Sequence, residues 1–354
     1  MYTIDSLIYP QLPIVADFNN DNQLDIAFTD ETITDIVVLL GNGDGTFSSK
    51  IRNSILYSDP FENLLSGDMN NDERLDIIFV DTNLQCIGVV LGNGDGTFES
   101  ESILTCSTLI AYMSSSIIIV DFNNDTYLDM ALFDSLEAVH VYTAYGNGSF
   151  SLETVLSFGM DVILTSISAR DFNNDGYQDF SIVDMYNKNI HLFFGYGNGS
   201  FQPFKSVFTG GVLLVTYTSF GDFNNDNLFD VIVLYYTNEL RLLLGFANGT
   251  FSRQKLIYYY ESDDNILISV NDLNKDGNLD IIIGMISPYG IYILYGDGYG
   301  NFWSEIAFSM DIQGDLTWGN VADFNNDGYE DILVTEKTSG QMNILLNTNN
   351  CNSN

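Results

Sequence analysis

The chain has 354 residues, 45% of them hydrophobic and 14% aromatic, and a net charge of −37 from 48 acids against 11 bases. That charge excludes nucleic-acid binding and attraction to anionic lipid, both of which need a Lys/Arg footprint. The longest apolar runs, such as Val231–Tyr236, are far too short to cross a bilayer, so no membrane insertion is expected.

In chain order, a strand-like segment, Tyr2–Tyr9, comes first, followed by a short apolar approach, Ile14–Ala16. An acidic loop, DFNNDNQLD (Asp17–Asp25), then runs into the apolar stretch Ile26–Phe28. A polar link, Thr29–Thr34, leads to a second apolar run, Ile36–Leu40, and a glycine turn, GNGDGTF (Gly41–Phe47). A more polar, alternating stretch, Lys50–Tyr57, closes the unit. The loop returns as DMNNDERLD (Asp68–Asp76), DFNNDTYLD (Asp121–Asp129), DFNNDGYQD (Asp171–Asp179), DFNNDNLFD (Asp222–Asp230), DLNKDGNLD (Asp272–Asp280) and DFNNDGYED (Asp323–Asp331). First-Asp intervals are 51, 53, 50, 51, 50 and 51 residues. The turn returns as GNGDGTF at Gly92–Phe98, then as GNGSF, GYGNGSF, GFANGTF and GDGYGNF ending at Phe150, Phe201, Phe251 and Phe302.

A fixed period near 50 residues is a repeat architecture whose units bury a core only by stacking. Each unit reads as four short strands separated by Gly/Asn/Asp turns. The second strand is apolar on both sides (Ile77–Val80, Met130–Phe133, Ile281–Ile283), as a strand sandwiched between two sheets must be. Seven such units predict an all-β fold, a seven-bladed β-propeller of four-stranded blades. The last unit stops at its third strand, Asn343–Leu346, so the N-terminal strand is expected to complete the last blade and close the ring. Residues 1–348 are read as one propeller domain and 349–354 as a polar tail. No signal-peptide pattern opens the chain, consistent with a mature or excised piece.

Each acidic loop places side-chain oxygens at positions 1, 3, 5 and 9, with position 7 offering its backbone carbonyl. The predicted ligand sets are Asp17, Asn19, Asp21, Gln23 and Asp25; Asp68, Asn70, Asp72, Arg74 and Asp76; and Asp121, Asn123, Asp125, Tyr127 and Asp129. They continue with Asp171, Asn173, Asp175, Tyr177 and Asp179; Asp222, Asn224, Asp226, Leu228 and Asp230; Asp272, Asn274, Asp276, Asn278 and Asp280; and Asp323, Asn325, Asp327, Tyr329 and Asp331. Alternate residues of a tight turn converge on a hard cation, and an all-oxygen set favours Ca²⁺ over zinc or copper, with Mg²⁺ second. Up to seven Ca²⁺ are expected, one per blade. An EF-hand would need an acid at position 12, where Phe28, Phe79, Leu132, Ile182, Val233, Ile283 and Val334 stand instead. The plainer alternative is an Asx-rich turn that satisfies only its own backbone. Twenty-one of the 48 acids are the three Asp of each loop, and seven divalent ions would bring the charge from −37 to −23. Position 6 needs a positive φ, which suits Gly176, Gly277 and Gly328 and fits Glu73 and Thr126 worst. The second and third sites are therefore expected to bind most weakly.

Five Phe at loop position 2 and six closing the glycine turns read as core. The Tyr clusters at Tyr258–Tyr260 and Tyr289–Tyr299 read either as blade packing or as a stacking surface. A candidate ligand face lies opposite the acidic loops, where Asn63, Tyr217 and Trp318 each stand five residues before a loop. Asp30, Asp81, Asp134, Asp184 and Glu336 lie in or beside the links after the second strands. His140 and His191 read as sheet residues, and no nucleophile–His pairing or phosphate-binding loop is present, so no enzyme is expected. Cys86 and Cys106 lie on neighbouring strands, but simple hairpin counting does not set them opposite each other, and free thiols are the favoured reading. Asn147, Asn198 and Asn248 in the glycine turns, and Asn124 in the third loop, open N-x-S/T sequons.

The pairing of D-x-N-x-D-x-x-x-D with a later G-x-G-x-G-x-F resembles the FG-GAP/VCBS-type repeat of integrin α-subunit propellers and fungal propeller lectins. The resemblance covers nearly the whole chain. It implies a seven-bladed propeller with calcium on one face and ligand recognition on the opposite one. Position 3 is always Asn where the family often has Asp, which weakens the expected affinity. The expected protein is an extracellular, non-enzymatic binding or adhesion module for a protein or glycan partner; a calcium-dependent lectin and a carbohydrate-active enzyme are the alternatives.

Overall fold

The computed structural model describes residues 2–4, 10–30, 33–54, 63–81, 86–100, 102–106, 117–134, 138–158, 162–209, 214–247, 250–259, 267–286, 289–309, 316–336 and 341–347. Among them there are 28 strands and no helix, and therefore no helix long and apolar enough to cross a membrane.

The architecture is a seven-bladed β-propeller. β1 (Tyr2–Ile4) belongs to the last blade. Blade 1 is β2 (Pro10–Ala16), β3 (Asp25–Asp30), β4 (Ile33–Gly41) and β5 (Phe47–Ser54). Blade 2 is β6 (Asn63–Gly67), β7 (Asp76–Asp81), β8 (Cys86–Val90) and β9 (Ser102–Cys106). Blade 3 is β10 (Ile117–Val120), β11 (Asp129–Phe133), β12 (Ala138–Ala144) and β13 (Phe150–Ser157). Blade 4 is β14 (Leu164–Arg170), β15 (Asp179–Asp184), β16 (Asn189–Phe193) and β17 (Lys205–Phe208). Blade 5 is β18 (Val215–Gly221), β19 (Asp230–Tyr235), β20 (Glu239–Leu243) and β21 (Lys255–Tyr259). Blade 6 is β22 (Leu267–Asn271), β23 (Asp280–Ile286), β24 (Tyr289–Gly296) and β25 (Phe302–Ser309). Blade 7 is β26 (Leu316–Ala322), β27 (Asp331–Glu336) and β28 (Gln341–Leu345), completed by β1. Within the last blade Tyr2, Thr3 and Ile4 pair antiparallel with Ile344, Asn343 and Met342, as the split of the final unit between the two ends of the sequence requires. Residues 5–9 of the expected strand, and the tail, lie outside the described residues.

The chain packs into two compact units, one of Met1–Pro60, Gly92–Glu99 and Ser262–Asn354, the other of Phe61–Leu91 and Ser100–Glu261. In the first, Ile26, Phe28, Val37 and Leu39 of blade 1 pack on Phe324, Leu333, Met342 and Ile344 of blade 7. In the second, β11 and β12 pack on β15 through Ala131, Phe133, Val139, Val141, Phe180 and Ile182. Val183, Ile190 and Leu192 meet Val231, Val233 and Tyr235 of blade 5. The second strands β7, β11, β15 and β19 are buried along their whole length, which explains their largely apolar interiors, broken only by the buried Ser181.

The cysteine expectation is corrected. Cys86 is disulfide-bonded, and Cys106 is its cross-strand partner in the β8–β9 register. A β-bulge between Ile87 and Gly88 shifts that register, so counting back from the glycine turn misplaces the pair.

Candidate functional site

Each acidic loop joins the first and second strands of its blade. In blade 1, Asp17 accepts the N–H of Asp21 on Oδ1 (3.1 Å) and that of Asn22 on Oδ2 (2.7 Å). Asn19 Oδ1 also accepts from Asp21 N (3.1 Å), and Asp21 Oδ1 accepts from Gln23 N (2.8 Å). The Asn19 Nδ2 group donates to Asp21 Oδ2 (2.9 Å). The same five bonds recur in the other six loops. Two residues in each loop take left-handed backbone. Position 6 does so as expected, at Asn22, Glu73, Thr126, Gly176, Asn227, Gly277 and Gly328. Position 4 does so too, at Asn20, Asn71, Asn124, Asn174, Asn225, Lys275 and Asn326. Asn tolerates positive φ better than other side-chain-bearing residues, and its presence in six of the seven loops was the readable signal for position 4.

The position-9 carboxylates face inward, and all seven are fully buried. Asp25 accepts the position-2 N–H of Phe18 on Oδ2 (2.8 Å) and the N–H of Gly41, at the end of β4, on Oδ1 (2.8 Å). Asp129, Asp179, Asp230, Asp280 and Asp331 make the same two bonds, and Asp76 accepts from Met69. One carboxylate thus ties the loop's entry, the second strand and the end of the third. The approach is close: a Cβ on Gly41 would lie 2.2 Å from the Leu24 carbonyl oxygen, which is why glycine opens that turn. Burial pushes the Asp25, Asp129, Asp230, Asp280 and Asp331 carboxyls up to about 6 and Asp179 to about 7. The charges at positions 5 and 1 add to the rise, and the two N–H bonds oppose it.

The loops also carry the joints between blades. The glycine turn of one blade donates to the position-2 carbonyl of the preceding blade's loop, as Gly45 does to Phe324, Gly96 to Phe18, Gly148 to Met69 and Gly199 to Phe122. Beside these bonds the position-2 ring meets the ring that closes the turn, edge to face: Phe18 with Phe98 (6.0 Å), Phe324 with Phe47 (6.4 Å) and Phe122 with Phe201 (5.2 Å). Position 4 reaches the next loop. Asn326 Nδ2 donates to Gln23, Asn174 Nδ2 to the Asn227 carbonyl, and the Lys275 amine lies 4.9 Å from the Tyr329 ring centroid.

The predicted ligands are therefore of two kinds. Positions 1, 3 and 5 stand at or near the surface within one turn, while position 9 is committed to the backbone beneath them. Among the described residues no three Asp, Glu, His or Cys side chains are gathered closely enough to hold a metal ion. The donor set nevertheless suits a hard cation. All donors are oxygen, and a carboxylate with about four lone-pair sites that accepts two hydrogen bonds retains capacity for an ion. In every loop the position-3 Asn Nδ2 donates to the position-5 carboxylate.

The candidate ligand face fares differently. Asp81, Asp134 and Asp184 are buried. Asp134 accepts Ala138 N on Oδ1 (3.0 Å), and its Oδ2 lies 2.7 Å from His140 Nε2. Asp184 holds Asn187 through N and Nδ2 and accepts from Ile163 N. Asp134 and Asp184 thus tie down the links between second and third strands and are withdrawn from the candidate ligand face. Tyr217 is about one-third exposed, with its hydroxyl's pKa pushed up by burial. The side chains of Asp30, Trp318 and Glu336 lie outside the described residues. His140 and His191 are sheet residues on β12 and β16.

A family model described as FG-GAP-like repeat matches residues 17–79, 68–132, 121–182, 171–233, 222–283 and 272–334. Every match begins on the first Asp of a loop and ends in the second strand of the next blade. The chain belongs to the FG-GAP-like repeat family. Among solved structures, these FG-GAP-like repeats are similar to a lectin of Agrocybe aegerita, with a TM-score of 0.65 at 18% identity over 86% of this chain and 81% of that one. That structure is described as showing specific recognition of non-reducing terminal N-acetylglucosamine. They are also similar to BBS1N, solved in complex with ARL6DN, with a TM-score of 0.65 at 10% identity over 98% and 96% of the two chains. No curated protein matches the sequence.

Proposed function

We propose that this FG-GAP-like propeller is a calcium-stabilised, extracellular, non-enzymatic binding or adhesion module for a glycan or protein ligand. The observation that carries the calcium reading is the sevenfold Asp–Asn–Asp turn near the surface, laid over a buried Asp. Positions 1, 3, 5 and 9 and the position-7 carbonyl would hold the ion, which would neutralise charge gathered in each loop and fasten the first-to-second strand turn. At a hundredfold excess over its dissociation constant, one such ion adds about 2.7 kcal/mol to stability. The disulfide at Cys86 supports an oxidising compartment, and millimolar extracellular calcium suits sites weakened by Asn at position 3.

The binding role is supported by family membership and by two propellers of the same fold, one described with a glycan and one with a protein partner. The ligand is assigned to the face opposite the acidic loops, where Asn63 Nδ2 is buried without a hydrogen-bond partner and Tyr217 is partly exposed. The test is a glycan array and a cell-surface binding assay, each run with calcium and with EDTA. Calcium-dependent binding that Tyr217→Ala weakens supports the reading. Binding untouched by Tyr217→Ala and by EDTA overturns both the face and the metal dependence.

A further inference from the structure

We propose that Asn147 and Asn198 carry N-linked glycans whose first sugar packs on the exposed ring two residues earlier, Tyr145 and Tyr196. Both Asn are exposed and lie in the glycine turns of blades 3 and 4. Asn147 Oδ1 accepts the N–H (3.1 Å) and hydroxyl (2.5 Å) of Ser149, and Asn198 Oδ1 accepts those of Ser200 (3.1 and 2.6 Å). The Nδ2 groups carry no hydrogen bond among the described residues.

The independent observation is what stands at the second turn position. In blades 1 and 2 the place of the sequon Asn is taken by Asp44 and Asp95, with the same bonds to Thr46 and Thr97. There the second position is Asn42 or Asn93, whose Nδ2 donates to the Thr hydroxyl and completes the turn. In the sequon turns that position is an aromatic ring turned to solvent, with Tyr145 61%, Tyr196 54% and Phe246 51% exposed. Phe246 precedes the third sequon, Asn248, which lies outside the described residues. Tyr127 and Tyr177 lie directly against Gly146 and Gly197, extending the apolar surface beneath each turn. An amphipathic sugar face stacks on such rings, so the attached glycan would cover what the turn leaves wet.

Attachment forms a bond from the Asn Nδ2 to the anomeric carbon of an oligosaccharide carried on a lipid diphosphate, the donor of a secretory-route glycosyltransferase. The anomeric C–O bond breaks, the diphosphate leaves with its electron pair, and the amide loses one proton. Asn124 lacks the arrangement: its ring two residues earlier, Phe122, is buried, and Asn124 itself takes a left-handed backbone inside the acidic loop. It is assigned as unmodified.

The proposal requires secretory passage, as the function proposed above does. The test therefore supplies a leader peptide and expresses the chain through the secretory route of a eukaryotic cell. Glycopeptide mass spectrometry should find sugar on Asn147 and Asn198 and none on Asn124. Enzymatic deglycosylation should lower Tm by roughly 1–3 °C in the wild type and in Tyr145→Phe/Tyr196→Phe, and by less in Tyr145→Ala/Tyr196→Ala. Bare Asn147 and Asn198 in secreted, folded protein overturn the attachment, and an equal Tm loss in all three proteins overturns the ring contact. Ligand binding by Asn147→Gln/Asn198→Gln is scored separately, so failure of the glycan sites leaves the proposed binding face to its own test.

Discussion

Two kinds of aspartate share each acidic loop and can be separated by substitution. Asp179 holds two backbone N–H groups in a buried place, whereas Asp175 is exposed and holds one backbone N–H and the Asn173 amide. An Asn at position 179 would set an NH₂ group against one of those N–H donors, so Asp179→Asn should cost about 1–3 kcal/mol even with EDTA present. Asp175→Asn should cost almost nothing in EDTA and destabilise the protein only when calcium is present. Chemical denaturation of both variants, with and without the ion, checks the division. His191 gives a pH signature. Its Nδ1 lies 2.9 Å from Ser206 Oγ, and Phe158 and Phe204 enclose the ring. Burial lowers its pKa, with the nearby Asp184 carboxylate opposing the shift. A depressed folded pKa contributes stability that is present above the unfolded value, near 6.5, and is lost as pH falls through the folded value. The Tm advantage of wild type over His191→Gln should therefore shrink as pH drops from about 7.5 to about 5.5; a constant difference would refute the assignment.

At the level of the loop, the left-handed position 6 was legible because Gly recurs there, and Glu73 (φ 66°) and Thr126 (φ 77°) adopt it against their preference. A β-branched residue in that region stores strain of about 1–2 kcal/mol. Thr126→Gly should thus stabilise the protein by about 1 kcal/mol in thermal melts, whereas Asn22→Gly should change little. Phe122 sits between Phe180 and Phe201 at the joint of blades 3 and 4, and Phe122→Ala should cost about 3–5 kcal/mol. The inward role of position 9 was not legible, because a metal ligand and a backbone acceptor call for the same Asp. Nor was the capping role of Asp134 and Asp184, which a linear reading places in solvent-facing links. The Cys86–Cys106 register was hidden by a bulge at Ile87–Gly88, for which the in-strand Gly88 was the readable signal.

For the whole molecule, the repeat period made the blades and their strand count readable, since seven near-identical loops impose seven near-identical sheets. The ends were readable too, because one unit lacks a strand and one strand lacks a unit. If each loop takes calcium, EDTA should lower Tm steeply and calcium should restore it, and an unchanged melting curve sinks the metal reading. Removing residues 1–9 should leave the β28 edge open, detected as a lower Tm and as oligomers in light scattering.

The pairing of Tyr2 with Ile344 has a consequence in time. At roughly 5–20 residues per second, the ribosome needs tens of seconds after making Tyr2–Ile4 to make its partner strand. Six blades can be complete while that segment still hangs free, so the propeller's N-terminal strand is the last to be placed. A nascent chain of this design should be most vulnerable to mispairing just before its synthesis reaches Gln341–Leu345.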